Sequence, residues 1–296
     1  MGMLWHVLGN LTPPEKITQE AFEGDDAHLR RLVRLHPGQR AEASDLWDYT
    51  QDLLYTGIQG PLLAYLLPFC LHAWREDLCG ISREYGGFVE HFYPVLADRQ
   101  IFENHLSSTQ GAAVAEFMRQ AILEEIDGQR GLSYKGSNAR PYRWVRALTT
   151  YGVLRPDAHR LWEAWWSLGT VGRAIAALQY ISCLTYSDSE NPVFAPWTSD
   201  RGGGPPCLWE FEGHLYKHRW LQTNVEFLRE WLVIGRLTDA VSRAVEHLVD
   251  QPEHAVAAGI RDDLPLCAGT LEARCAELAL FLATTREPGK RPRWSR

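Results

Sequence analysis

The stretch GPLLAYLLPFCLHAW, residues 60–74, constrains the fold more than any other, because no other segment of the chain is as apolar. A membrane span needs about 20 consecutive apolar residues. Pro61 to Trp74 supplies 14, includes His72, and cannot be extended past Gln59 on one side or REDL on the other. A short helix that is apolar all round is one buried inside protein. Pro68 lacks the amide that would bond the carbonyl of Ala64, and its ring crowds that carbonyl, which predicts a kink or a split. The segment therefore reads as the central core helix of a first domain, and no membrane partner is expected.

Helical periodicity dominates the rest of the chain. In HPGQRAEASDLWDYTQDLLYTG, apolar or small residues fall at 43, 46, 47, 50, 53 and 54, the spacing of one helical face, and Gly57 reads as the stop. LSSTQGAAVAEFMRQAILEEID opens with Ser107 and Gln110 in capping-box register. Val114, Phe117, Met118, Ala121 and Ile122 supply its buried face. RPDAHRLWEAWWSLG and TVGRAIAALQYISCLTY read as a helical hairpin opened by Pro156 and Asp157. Further helical patterns follow in YKHRWLQTNVEFLREWLVIG, LTDAVSRAVEHLVD and TLEARCAELALFLATT. No alternating pattern is long enough to build a sheet, so the expected class is all-α.

Two helical lobes are expected, an acidic one over 1–130 and a Trp-rich one over 131–296, because the glycine-rich polar segment 127–141 ends in proline and breaks the periodicity. A long irregular loop is expected at about 187–207, with four prolines and three consecutive glycines. The basic segment 286–296 reads as a frayed tail.

Charge divides along the same line. Residues 1–130 hold 19 Asp/Glu against 10 Lys/Arg, a net of −9, whereas residues 131–296 carry a net of +2. An overall charge of −7 argues against a general nucleic-acid binder. Acidity confined to one part of a chain points instead to partner recognition. The six cysteines form no CxxC pair, as expected of reduced, mostly buried thiols in the cytoplasm, and the N-terminal MGMLWHVLGN lacks the features of a signal peptide.

Chemistry-bearing motifs are few. The strongest metal-like group is CLWEFEGHLYKH, in which His214 and His218 stand at i, i+4 with Cys207 and Glu210 upstream. Zinc accepts such ligands. The glutamate of HExxH is missing, however, and Lys217 would repel a cation, so a solvated or hydrogen-bonded histidine pair is the preferred reading. GTVGR (169–173) and RGGGPP (201–206) match no phosphate-binding fingerprint, and no GxSxG or reactive-cysteine signature occurs. No catalytic residue, resident metal or cofactor is expected, and the chain is read as a binding protein rather than an enzyme. A metal-dependent helical hydrolase using His214, His218 and Cys207 is the alternative, with a non-catalytic scaffold as a third reading.

The feature given most weight is a surface one. On a helix around Trp47, Asp45, Asp48 and Asp52 fall within about 60° of one another, with Glu42 on the flank and Tyr49 and Tyr55 nearby. Like charges in such a row repel, which makes sense if the row is held for a basic protein partner. These six residues are the expected partner contacts.

Two resemblances add to this. LLAYLLPFCLHAW, through Tyr65, Leu66, Leu67 and Pro68, and HLSSTQGAAVAEFM, through Leu106, Ser107 and Gln110, are similar over about residues 17–127 to an uncharacterised family of small bacterial helical proteins. That similarity implies a fold and no activity. The whole acidic, Trp-rich chain resembles immunity proteins that accompany secreted bacterial toxins, in particular nuclease effectors of type VI secretion. The resemblance implies tight stoichiometric binding of a cognate toxin in the cytoplasm and carries over no catalytic residue.

Overall fold

A computed structural model describes residues 2–8, 12–132, 140–186 and 218–284. Among these the chain forms fourteen helices and no strand, so the fold is mainly α. The chain divides into two compact units at Ala121/Ile122, a point inside the helix Ser108–Asp127. The loop expected at about 187–207 and the tail 286–296 lie outside the described residues.

The first unit holds α1 (Gly2–Leu8), α2 (Ala27–Leu32), α3 (Ala43–Tyr55), α4 (Gly60–Leu78), α5 (Phe88–Asp98), α6 (Ile101–Asn104) and the first part of α7 (Ser108–Asp127). The apolar run 60–74 lies within α4, and the helix is longer than the run itself. It is buried on every side, from Leu62, Leu63, Tyr65 and Leu66 through Phe69, Cys70 and Trp74 to Leu78. Pro68 does not split it: the helix runs on for ten residues beyond the proline. Packing on all sides holds the turn in which the amide bond is missing. Trp5 of α1 meets Phe69 edge-on at 4.6 Å, while α5 packs on both α3 and α4. Gln110 donates its amide to the Ser107 hydroxyl (3.3 Å) and accepts from the Ser107 amide (2.9 Å), the reciprocal capping box read from the sequence. Val114, Met118, Ala121 and Ile122 are buried and Phe117 half-buried.

The second unit comprises the end of α7 with α8 (Arg140–Leu154), α9 (Ala158–Trp166), α10 (Val171–Thr185), α11 (Gln222–Trp231), α12 (Ile234–His247), α13 (His254–Asp263) and α14 (Ala268–Ala283). Helices α8 and α13 go beyond the segments whose periodicity was read above. The hairpin of α9 and α10 is present, with α10 at the centre against α9, α12, α13 and α14. The core is aromatic. Trp162 and Trp166 stack at 5.7 Å, Trp144 meets Trp165 at 5.0 Å, and Tyr180 stands edge-on to Trp162 and Trp165 at 5.3 and 5.6 Å. The crowding of LWEAWW in the sequence thus resolves into three buried indoles of α9, Trp162, Trp165 and Trp166, joined in the core by Trp144 from α8.

Two side chains lock the helix ends of this unit. Asn224, buried on α11, accepts from the Ala158 amide at the start of α9 (3.3 Å). It donates to the carbonyls of Gly152 (2.9 Å) and Arg155 (2.6 Å) where α8 ends. One amide thereby satisfies groups that two helix termini leave open. Asp127 braces the start of α10 through side chains, accepting from Arg173 Nε (2.8 Å) and from Thr170 Oγ1 (2.7 Å), whose oxygen caps the Arg173 amide (3.2 Å).

Candidate functional site

The expected contact helix is α3, and its environment is set by α2 and by the non-helical segment before α2. Helix α2 packs along α3. Arg31 reaches across and donates to both carboxylate oxygens of Asp45, the shortest contact being 2.6 Å from Nη2. His28 Nε2 lies 2.6 Å from Asp52 Oδ2, and both side chains are buried. The other Asp52 oxygen accepts the backbone amide of Phe22 at 2.8 Å. Burial by itself lowers the His28 pKa, but the hydrogen bond and charge of Asp52, joined by the charges of Asp48 and Asp45, outweigh it and the pKa is raised above 6.5.

These contacts correct the expected solvent-facing acidic row. Asp45 and Asp52 are 3% and 2% exposed and neutralised within the unit, so neither carboxylate is available to a partner. Tyr49 is fully buried, and its hydroxyl has no hydrogen-bond partner among the described residues. Burial, reinforced by Cys70 and Asp52, pushes its pKa well up. The physical reason is angular: Asp45 and Asp52 lie about 20° apart on the helix, on the side that α2 covers, whereas Asp48 is rotated about 60° towards solvent. Asp48, Glu42 and Tyr55 are exposed as expected.

Solvent therefore sees a different stripe of α3, formed by Ser44, Asp48 and Tyr55 with half-buried Gln51 between them. Tyr55 is 63% exposed, and against it, at 4.6 Å between ring centroids, lies Phe22, 51% exposed. Phe22 and Glu23 occupy the corner of a turn closed by the Gly24 amide on the Ala21 carbonyl (3.0 Å), with Gly24 at φ +82°. The backbone behind that turn is pinned. Buried Gln19 donates to Thr56 Oγ1 and to the Gly57 carbonyl, both at 2.6 Å, and accepts from the Gln59 amide at 2.9 Å. Gln59 in turn accepts from the Thr18 amide and donates to the Lys16 carbonyl, both at 2.8 Å. On the other edge of the α3 stripe, half-buried Trp47 stacks on His91 at 3.9 Å.

Phe22, His28 and Arg31 were not found by sequence reasoning. The signal available was small: one aromatic residue in AFEGDD, between acidic residues and next to a glycine. The other expected chemistry is largely out of view. Cys207, His214 and Glu210 lie outside the described residues, while His218 is described, half-buried and has an interaction of its own. Among the described residues no group of His, Cys, Asp and Glu is placed to hold a metal ion. Arg173 of the glycine-containing GTVGR is held by Asp127 and by the Ala164 carbonyl (2.8 Å). Gly172 there serves close packing, since a Cβ would sit 2.3 Å from the Asp127 carbonyl oxygen. The Cys70 and Cys275 thiols are buried, which pushes both pKa values up, that of Cys275 to about 12 with help from Glu272. A cleft beside α1 and α4, lined by Trp5, Phe69 and His72, has a volume of about 10 Å³, room for one water molecule. Among the described residues no helix is long and apolar enough to cross a membrane. No known protein family, curated protein or solved structure matches the chain.

Proposed function

We propose that this chain is an immunity protein, which binds a cognate secreted toxin stoichiometrically in the cytoplasm and neutralises it. The observation that carries the reading is the confinement of net negative charge to residues 1–130, net −9, in a chain whose remainder is close to neutral. Exposed Glu42 and Asp48 present part of that charge to solvent without a cation at ion-pair distance among the described residues. A nuclease effector of type VI secretion is the preferred target class, because such an enzyme carries a basic surface for the phosphates of its substrate. An acidic protein can occupy that surface in their place, gaining both steering and register.

The test uses the tagged full chain in a bacterial lysate, with metal analysis of the same preparation. The expected result is one toxin-sized protein recovered at a 1:1 ratio whose toxicity in cells is abolished by co-expression of this chain. Stoichiometric zinc or iron, lost on His214→Ala, with no recovered partner would overturn the reading in favour of metal-dependent chemistry at His214 and His218.

A further inference from the structure

Burial of Asp45, Asp52 and Tyr49 removes half of the expected contact residues, yet the same interactions build a different surface. Asp52 holds the Phe22 amide, the Gln19–Gln59 pair holds the backbone on either side of Thr18, and the turn closed at Gly24 projects Phe22 outward against Tyr55. Two aromatic rings, each more than half exposed, form one continuous patch on a backbone that is tied down behind it. Large exposed aromatic side chains on a pre-ordered backbone give up little conformational entropy on binding.

The rim of this patch is acidic. Glu20, Glu23 and Asp25 surround Phe22 in the chain, and Asp48 lies on the same face of α3 two turns before Tyr55. All four are exposed and none has a cation at ion-pair distance among the described residues. Nearby cations are engaged elsewhere: Arg30 pairs with Asp26, Arg31 pairs with Asp45 while its charge also reaches Asp25 and Asp48, and Arg99 donates to the Thr56 carbonyl (2.7 Å). An aromatic platform inside an acidic rim whose carboxylates form no direct ion pair among the described residues is complementary to a segment that presents arginine or lysine. The guanidinium or alkyl stem lies on the rings and the charge meets the carboxylates.

We infer that the Phe22–Tyr55 face, rimmed by Glu20, Glu23, Asp25 and Asp48, is the docking surface for a basic segment of a protein partner. This rests on the immunity reading for the identity of the partner, and it replaces the buried aspartates as the place of contact. Asp52 and Gln19 act as positioning residues, fixing the turn without touching the partner.

The probe is a random peptide library of about 12 residues, selected against the immobilised full chain. Two variants accompany it: Phe22→Ala/Tyr55→Ala, and the charge-neutral Glu20→Gln/Glu23→Gln/Asp25→Asn/Asp48→Asn, both checked by thermal unfolding. The expected outcome is enrichment of arginine and lysine, with affinity reduced at least about tenfold in either variant and falling as salt is raised. A library that yields no binder, binders without basic residues, or basic binders that hold the double alanine variant equally well would overturn the inference. The two readings separate in the neutralisation assay. If Phe22→Ala/Tyr55→Ala still protects against the toxin, the surface fails and the immunity reading stands. If basic peptides are selected and no toxin is neutralised, the surface stands without it.

Discussion

Asp45, Tyr49 and Asp52 sit within two turns of one helix, and each meets its burial differently. Asp45 is neutralised by a two-oxygen contact from Arg31, and Asp52 by His28 together with a backbone amide. Tyr49 has no such partner among the described residues, so burial of its hydroxyl is not offset by a protein hydrogen bond. Tyr49→Phe should therefore raise stability by about 1 kcal/mol in urea denaturation and leave partner affinity unchanged. The His28–Asp52 pair makes a pH-dependent contribution. The folded pKa of His28 is raised, so its stabilisation is complete below the unfolded value of 6.5 and is lost as pH rises through the folded value. Denaturation midpoints of the native chain and of His28→Gln, followed from about pH 5 to about pH 9, should differ most at the acidic end and converge at the alkaline end. A constant difference across that range would show that the pair contributes only by packing.

Helix ends and helix crossings decide the second unit. Asn224 is a single buried side chain serving α8 and α9, and nothing in QTNVEFLREW distinguishes it from an exposed helical asparagine. Asn224→Ala leaves one amide and two carbonyls without this partner and should cost about 3 kcal/mol, read as a lowered denaturation midpoint with unchanged slope. Gly172 permits the start of α10 to lie on the carbonyls that end α7, where a methyl would come within 2.6 Å of Ile126 O. Gly172→Ala should destabilise by at least about 2 kcal/mol, because the obstacle is backbone and cannot turn aside. Gly152 is similar in geometry, since a Cβ there would sit 2.5 Å from the buried Trp220 ring.

Over the molecule as a whole, the uneven charge is the property that acts at a distance. Carboxylates such as Glu20, Glu23 and Asp48 attract a basic partner before contact, whereas the aromatic pair acts only after it. Association of this protein with the proposed toxin partner should slow by about tenfold between low and high salt, while dissociation changes little, as measured by stopped-flow fluorescence. An association rate indifferent to salt would remove the acidic surface from the recognition step. Both units carry the aromatic residues that such fluorescence would read, with Trp47 half-buried beside the proposed face and the cluster around Trp162 enclosed in its own core.

The all-α class, the buried course of α4, the α9–α10 hairpin and the capping box at Ser107 were legible in the sequence. Each depends on interactions within a few residues along one helix, where apolar spacing and cap chemistry are written directly. The fate of α3 was not. Whether Asp45 and Asp52 face solvent depends on α2, six residues long and too short to announce itself by periodicity, and on a non-helical strip held by Gln19 and Gln59. A helical wheel ranks side chains by direction; only a neighbouring element decides which directions are covered. The sequence by itself thus determined the helical class, long helices such as α4, α7 and α10, and the acidic balance, and the tertiary structure decided which acids are struts and which remain open to a partner.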